Sequence, residues 1–132
     1  DTGMHLYPGE ETMQISNNSL RIRDAFFEGR EIKFATCNGK CERKNRPLAC
    51  RVFPLAPYIS KDGRLHIVED PRAKHICPLL LHNDIIRMDR HFKSRVYKVF
   101  RFLTEDREIK EYVCRLSNTL REYASFTGMS LP

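Results

Sequence analysis

The sequence predicts an α+β fold: small antiparallel β-hairpins and a cysteine-rich loop region, followed by a C-terminal antiparallel helical hairpin. Three observations carry this. Short runs before residue 70 alternate apolar and polar side chains and are separated by Asn, Glu-Gly and Asp-Gly turn residues, as half-buried strands do. Between residues 85 and 123 apolar side chains instead recur every three or four positions in two successive stretches, which is helix periodicity. Four cysteines in the pattern C-x3-C-x8-C-x26-C fall on stretches rich in Gly and Pro, which read as loops. At 132 residues a single domain with a modest core is expected, residues 1–83 forming its β/loop-rich part and 84–126 the helical hairpin.

Taken in order, residues 1–12 read as an irregular lead-in broken by Pro8-Gly9, with the acidic pair Glu10-Glu11 solvated. Met13 and Ile15 alternate with polar neighbours, and Asn17-Asn18 marks a turn. Leu20 and Ile22 alternate again, Phe26 and Phe27 in the stretch Ala25-Phe26-Phe27 are core candidates, and Glu28-Gly29 is a turn. Ile32 and Phe34 then lead straight into Cys37. The stretch Val52–Pro57 has prolines that suit an extended edge rather than a central strand. Lys61-Asp62-Gly63 between Tyr58-Ile59 and Leu65–Val68 is the clearest hairpin.

Asn83 and Asp84 suit the start of a helix over residues 84–103, whose apolar face is Ile85, Met88, Phe92, Val96, Val99 and Leu103. Thr104 is the expected cap of a second helix over 105–123, with Ile109, Val113, Leu116, Leu120 and Tyr123 as its stripe and Gly128 as its stop. The short connection makes the two helices antiparallel neighbours, packed on each other and on the small sheet. Cys114, at a helical position, reads as an inert core thiol.

Composition excludes several classes. Forty-one per cent hydrophobic and thirty per cent charged residues fit a globular protein, and no run reaches the eighteen or so apolar residues of a membrane span. Five cysteines, an odd number, argue against a neat disulfide framework, and the chain reads as cytoplasmic with no membrane partner. The net charge of +6 is read first as ordinary solvated surface and as positive charge that offsets thiolates. No RNP-type aromatic motif or helix-turn-helix favours nucleic acid as partner. No phosphate-binding glycine loop, H-E-x-x-H or G-x-S-x-G occurs either.

The cysteines carry the chemistry. A soft metal needs thiolates converging at about 2.3 Å from one centre. Asn38-Gly39 is a strong turn between Cys37 and Cys41, and Arg46-Pro47 a second one before Cys50. Cys37, Cys41, Cys50 and Cys77 thus offer four thiolates on loops, a donor set for tetrahedral zinc or for an iron–sulfur cluster. Reduced, partly buried thiols or two disulfides are the alternatives. His5, His66 and His75 are lesser ligand candidates, and His75, two residues before Cys77, is the best of them.

The run Cys41…Arg46-Pro47-Leu48-Ala49-Cys50-Arg51-Val52-Phe53-Pro54 resembles the second signature of the zinc- or iron-chelating CxxCxxCC family, which includes flagellin lysine-N-methylases. The resemblance implies Cys37, Cys41, Cys50 and Cys77 as ligands, with Arg46-Pro47 shaping the loop that presents Cys50. The CxxCxxCC cluster itself does not occur here. Gly3–Glu11 resembles the segment that follows it, so the expectation is a piece that begins beyond the cluster. Three functions follow as expectations: a metal-binding module, structural or redox; a metal-dependent methyltransferase-like enzyme, for which no methyl-donor site is recognisable; and a zinc-stabilised nucleic-acid binder using the positives between Lys40 and Arg51.

Overall fold

Strands β2 (Leu20–Phe27) and β3 (Arg30–Cys37) form an eight-residue antiparallel hairpin, and β1 (Thr2–His5) pairs with the far side of β3, giving the order β1-β3-β2. The computed structural model describes residues 2–14, 19–39, 42–73 and 90–132. The chain is α+β: antiparallel sheets of three and two strands precede C-terminal helices. It divides into two compact units, Asp1–Val52 and Phe53–Pro132.

In the first unit the expected turn at Glu28-Gly29 is present. Both residues have positive φ, +50° and +77°, which a two-residue type I′ hairpin loop requires and glycine adopts without steric cost. Two expectations are corrected. The lead-in is not irregular: Thr2–His5 is a strand, and Glu10–Met13 is a 3-10 turn, not the start of a strand. Phe26 is not core but 73% exposed, because alternation along β2 sends it to the face shared with Asp24, away from Phe27. Ile15, Asn17 and Asn18 lie outside the described residues.

The second unit begins with the Asp-Gly hairpin as expected. Strand β4 (Leu55–Ile59) pairs with β5 (Leu65–Glu69), and Ser60 N–H donates to Arg64 O (3.0 Å) across the loop. Ser60 Oγ donates to the Asp62 carboxylate, which holds that carboxyl below its ordinary range. Pro57 sits within β4, which a two-stranded sheet tolerates because each strand has an open edge. At the other end of the hairpin, Asp70 N–H donates to Pro54 O (2.8 Å), and the buried Asp70 carboxylate takes a bidentate pair of bonds from Arg72.

The described part of the helix expected over 84–103 is α2 (Arg90–Leu103); Ile85, Met88 and the expected cap at Asn83 lie outside the described residues. Its buried residues are Val96 and Phe100, whereas Val99 is exposed. Helix α3 (Arg107–Thr127) is capped by Asp106, whose carboxylate accepts from the N–H groups of Glu108 (2.9 Å) and Ile109 (3.2 Å). Thr104 serves the preceding helix instead, donating to Phe100 O (2.7 Å). The α3 stripe is Val113, Leu116 and Leu120 as expected, but it ends in Ala124 rather than the exposed Tyr123. Cys114 is exposed, one position off that stripe, and so is not a core thiol.

The principal packing of both helices is against the hairpin: α2 on β4 and β5, α3 on β4 and the Pro71–Ala73 turn. That is why all five β4 residues are buried, with Tyr58 among the largest fully buried side chains. No described helix is long and apolar enough to cross a membrane.

A buried hydroxyl joins α3 to the sheet inside this core. Ser117 Oγ donates to Val113 O (2.7 Å) and accepts the Ile59 N–H (2.8 Å). A Ser117→Ala variant leaves a buried strand N–H without an acceptor, which costs about 1–3 kcal/mol. The expected result is a urea midpoint shifted down by that amount with an unchanged slope. An unshifted midpoint contradicts the role given to this hydroxyl.

Candidate metal centre

Strand β3 ends on Cys37, as the sequence predicts, and the chain turns immediately. Asn38 N–H still donates to Ser19 O (3.2 Å), which holds the mouth of the turn to the start of β2. Gly39 takes φ +84°, and its N–H donates to Cys37 Sγ at 3.3 Å. The Asn-Gly pair thus folds the backbone back over the sulfur it follows.

Cys50 is reached by a different device. Helix α1 (Leu48–Val52) is a single short turn packed on β1. Pro47 stands at its entrance, its carbonyl accepting from Arg51 N–H (3.0 Å). The Leu48 N–H has no partner within its own helix and is taken by Glu10 Oε2 (2.5 Å), while Glu10 Oε1 accepts the Tyr7 N–H (2.9 Å). One carboxylate therefore ties the lead-in to the start of α1. Cys50 Sγ then donates to the Met4 thioether Sδ at 2.9 Å.

Sheet register decides where this leaves the two sulfurs. Met4 is opposite Ala35, and Cys37 is opposite Thr2; positions two apart on a strand share a face. Met4, Ala35 and Cys37 therefore project to one side, and Cys50 approaches from that side. Ala35 is fully buried there. Met4 and Cys37 are diagonal neighbours, whose Cα atoms lie about 7–8 Å apart. Cys37 and Cys50 are both half-buried and neither is in a disulfide.

The opposite face holds His5, packed on the rings of Phe27 (4.8 Å) and Phe34 (5.2 Å), with the Arg23 guanidinium over Phe34 (4.7 Å). His5 is therefore directed away from the sulfurs. His66, in the other unit, lies beside Tyr58 with Nε2 3.4 Å from Ser60 Oγ. Cys41, Cys77, His75 and Lys40 lie outside the described residues. Among the described residues no group of three or more His, Cys, Asp or Glu side chains is placed to hold a metal. Lys44, Arg46 and Arg51 are exposed, Lys44 paired with Glu42 at 3.5 Å.

Two residues escape sequence reasoning. Met4 has no local signal, because its meaning comes from the partner strand. Glu10 reads as a solvated loop acid, yet its partner Leu48 is far along the chain. Burial pushes the Glu10 carboxyl up from its ordinary 4.5, against the lowering effect of its two backbone N–H bonds. A raised folded-state pKa means that the stability it contributes is fully present below pH 4.5 and is lost as pH rises through the folded value. The stability difference between wild type and Glu10→Gln, measured by urea unfolding, is therefore expected to shift against wild type between acid and neutral pH. A difference that is flat or rises with pH contradicts this.

No family model, curated protein or solved structure matches the chain.

Proposed function

We propose that this chain is a cysteine-ligated metal-binding protein in which Cys37, Cys41, Cys50 and Cys77 hold zinc, iron or an iron–sulfur cluster. The role of the ion is structural or redox. One observation carries the reading: Cys37 and Cys50, far apart in sequence, come to the same face of one small sheet, each held by its own device. The donor chemistry fits. Both are reduced thiols, and the Gly39 N–H on Cys37 Sγ is the kind of hydrogen bond that tunes metal-bound sulfur. The resemblance of Cys41–Pro54 to the CxxCxxCC family supports the same ligand set. A cytoplasmic location belongs to this reading too, since reduced thiols persist there.

The test is anaerobic purification of the intact protein, followed by its visible spectrum and elemental analysis. A brown protein with iron and sulfide identifies a cluster, and a colourless one with an equivalent of zinc identifies a structural site. A protein that holds neither metal stoichiometrically, even after reconstitution under reducing conditions, overturns the proposal.

A further inference from the structure

Helix α2 carries Arg90, Lys93, Arg95, Lys98 and Arg101, together with His91, and no Asp or Glu between Arg90 and Leu103. Those five residues equal five of the chain's formal excess of six positive charges. All five are exposed, and among the described residues none is in an ion pair. Asp89 precedes the helix in sequence and Glu105 follows it; Asp106 is engaged as the cap of α3.

The face these cations occupy follows from helix geometry. At about 100° per residue, buried Val96 and Phe100 define the inward direction. Lys98 then stands opposite the core, with His91 and Ser94 within about 40° of it and Arg95 and Arg101 within about 60°, while Arg90 lies on the flank. Exposed Phe102 lies within the strip, and exposed Tyr97 stands at its edge beside Arg90. Arg95, Lys98 and Arg101 succeed one another at i,i+3 spacing, where like charges repel along the helix. A surface built only for solvation gains from interspersed acids; a surface that meets a polyanion does not.

We infer that the solvent face of α2 binds the phosphate backbone of duplex DNA. Charge complementarity selects a polyanion. The helix cannot turn an apolar face into a lipid surface, because that face is already packed on β4 and β5. Ser94 and Tyr97 add hydroxyls, which contact phosphates alongside Arg and Lys. Fourteen residues make a rod of about 21 Å, and the major groove, about 12 Å wide, admits a helix. The contacts inferred are to phosphate oxygens, which carry no sequence information, so binding is sequence-independent. The inference does not depend on the metal reading.

The test is fluorescence anisotropy of a short labelled duplex titrated with the full chain across a series of KCl concentrations. Expected is a Kd of about 10⁻⁴–10⁻⁶ M near physiological salt. The slope of log affinity against log salt is expected at roughly −3 to −4.5, about 0.9 for each phosphate contacted. Replacing Arg95, Lys98 and Arg101 together by Gln should weaken low-salt binding at least about tenfold and flatten the slope by roughly 2.7. The control replaces exposed Arg21, Arg30 and Arg64 by Gln, removing the same charge from outside α2, and should change affinity only about twofold, since none of the proposed phosphate contacts is lost. Circular dichroism checks that both variants are folded. No salt-dependent binding, an equal loss in both variants, tighter binding to a single strand, or binding to anionic phosphatidylserine vesicles in place of the duplex would each overturn the inference.

Discussion

Cys50→Ser is expected to lower the thermal midpoint of the metal-loaded protein by roughly 10 °C or more and to abolish stoichiometric metal binding. The magnitude follows from linkage. An ion that binds only the folded state adds RT ln(1 + [L]/Kd), about 4 kcal/mol at a thousandfold excess over Kd. The fold offers reason for such dependence. Unit Asp1–Val52 rests on a three-stranded sheet whose second strand is largely exposed, and among the described residues its buried apolar side chains are few: Leu6, Tyr7, Ala35, Pro47 and Val52. A small unit with so little core gains from a bound ion because binding is then part of folding. Serine nearly preserves the volume of cysteine, so loss of the Cys50–Met4 contact alone predicts a smaller change. The decisive comparison uses a chelator. Stripped wild type should fall to the midpoint of Cys50→Ser, and the variant should not respond to the chelator at all. A wild type whose midpoint ignores the chelator rules out a stabilising ion.

How much of this was legible in the sequence depends on the range of the interaction involved. The Glu28-Gly29 and Asp62-Gly63 turns, the delivery of β3 into Cys37 and the stop at Gly128 are all local, set by backbone preferences of adjacent residues, and the sequence predicts each of them. The cap of α3 is nearly local: Thr104 and Asp106 both suit it, and the choice falls to Asp106 once the Thr104 hydroxyl bonds back to Phe100 O. Strand β1 is not legible, because Thr2–His5 owes its conformation to pairing with Phe34–Cys37 and Gly3 breaks its alternation. The approach of Cys50 to the face of Cys37 is non-local in the same way. It needs Glu10 to hold Leu48 and Met4 to receive the thiol, and no spacing rule encodes either contact.

Phe100→Ala is expected to cost about 3–5 kcal/mol, the range for emptying a fully buried aromatic site. For a chain of this size that is a fall of roughly 10–20 °C in the midpoint. The same experiment decides the register of α2. Val99 and Phe100 both continue the series from Phe92 and Val96, one at i+3 and the other at i+4, so periodicity alone cannot choose between them. Contact with the hairpin chooses: α2 packs on β4 and β5 through Val96 and Phe100, and this turns Val99 and Phe102 outward, Phe102 to 71% exposure. Phe102→Ala and Val99→Ala should therefore each change stability by only about 0.5 kcal/mol. If Val99→Ala proved the costly substitution and Phe100→Ala the mild one, α2 would be rotated by one residue. Arg95 would then leave the side opposite the core while Lys98 and Arg101 stayed on it, so this stability measurement also tests which cations make up the DNA-binding face.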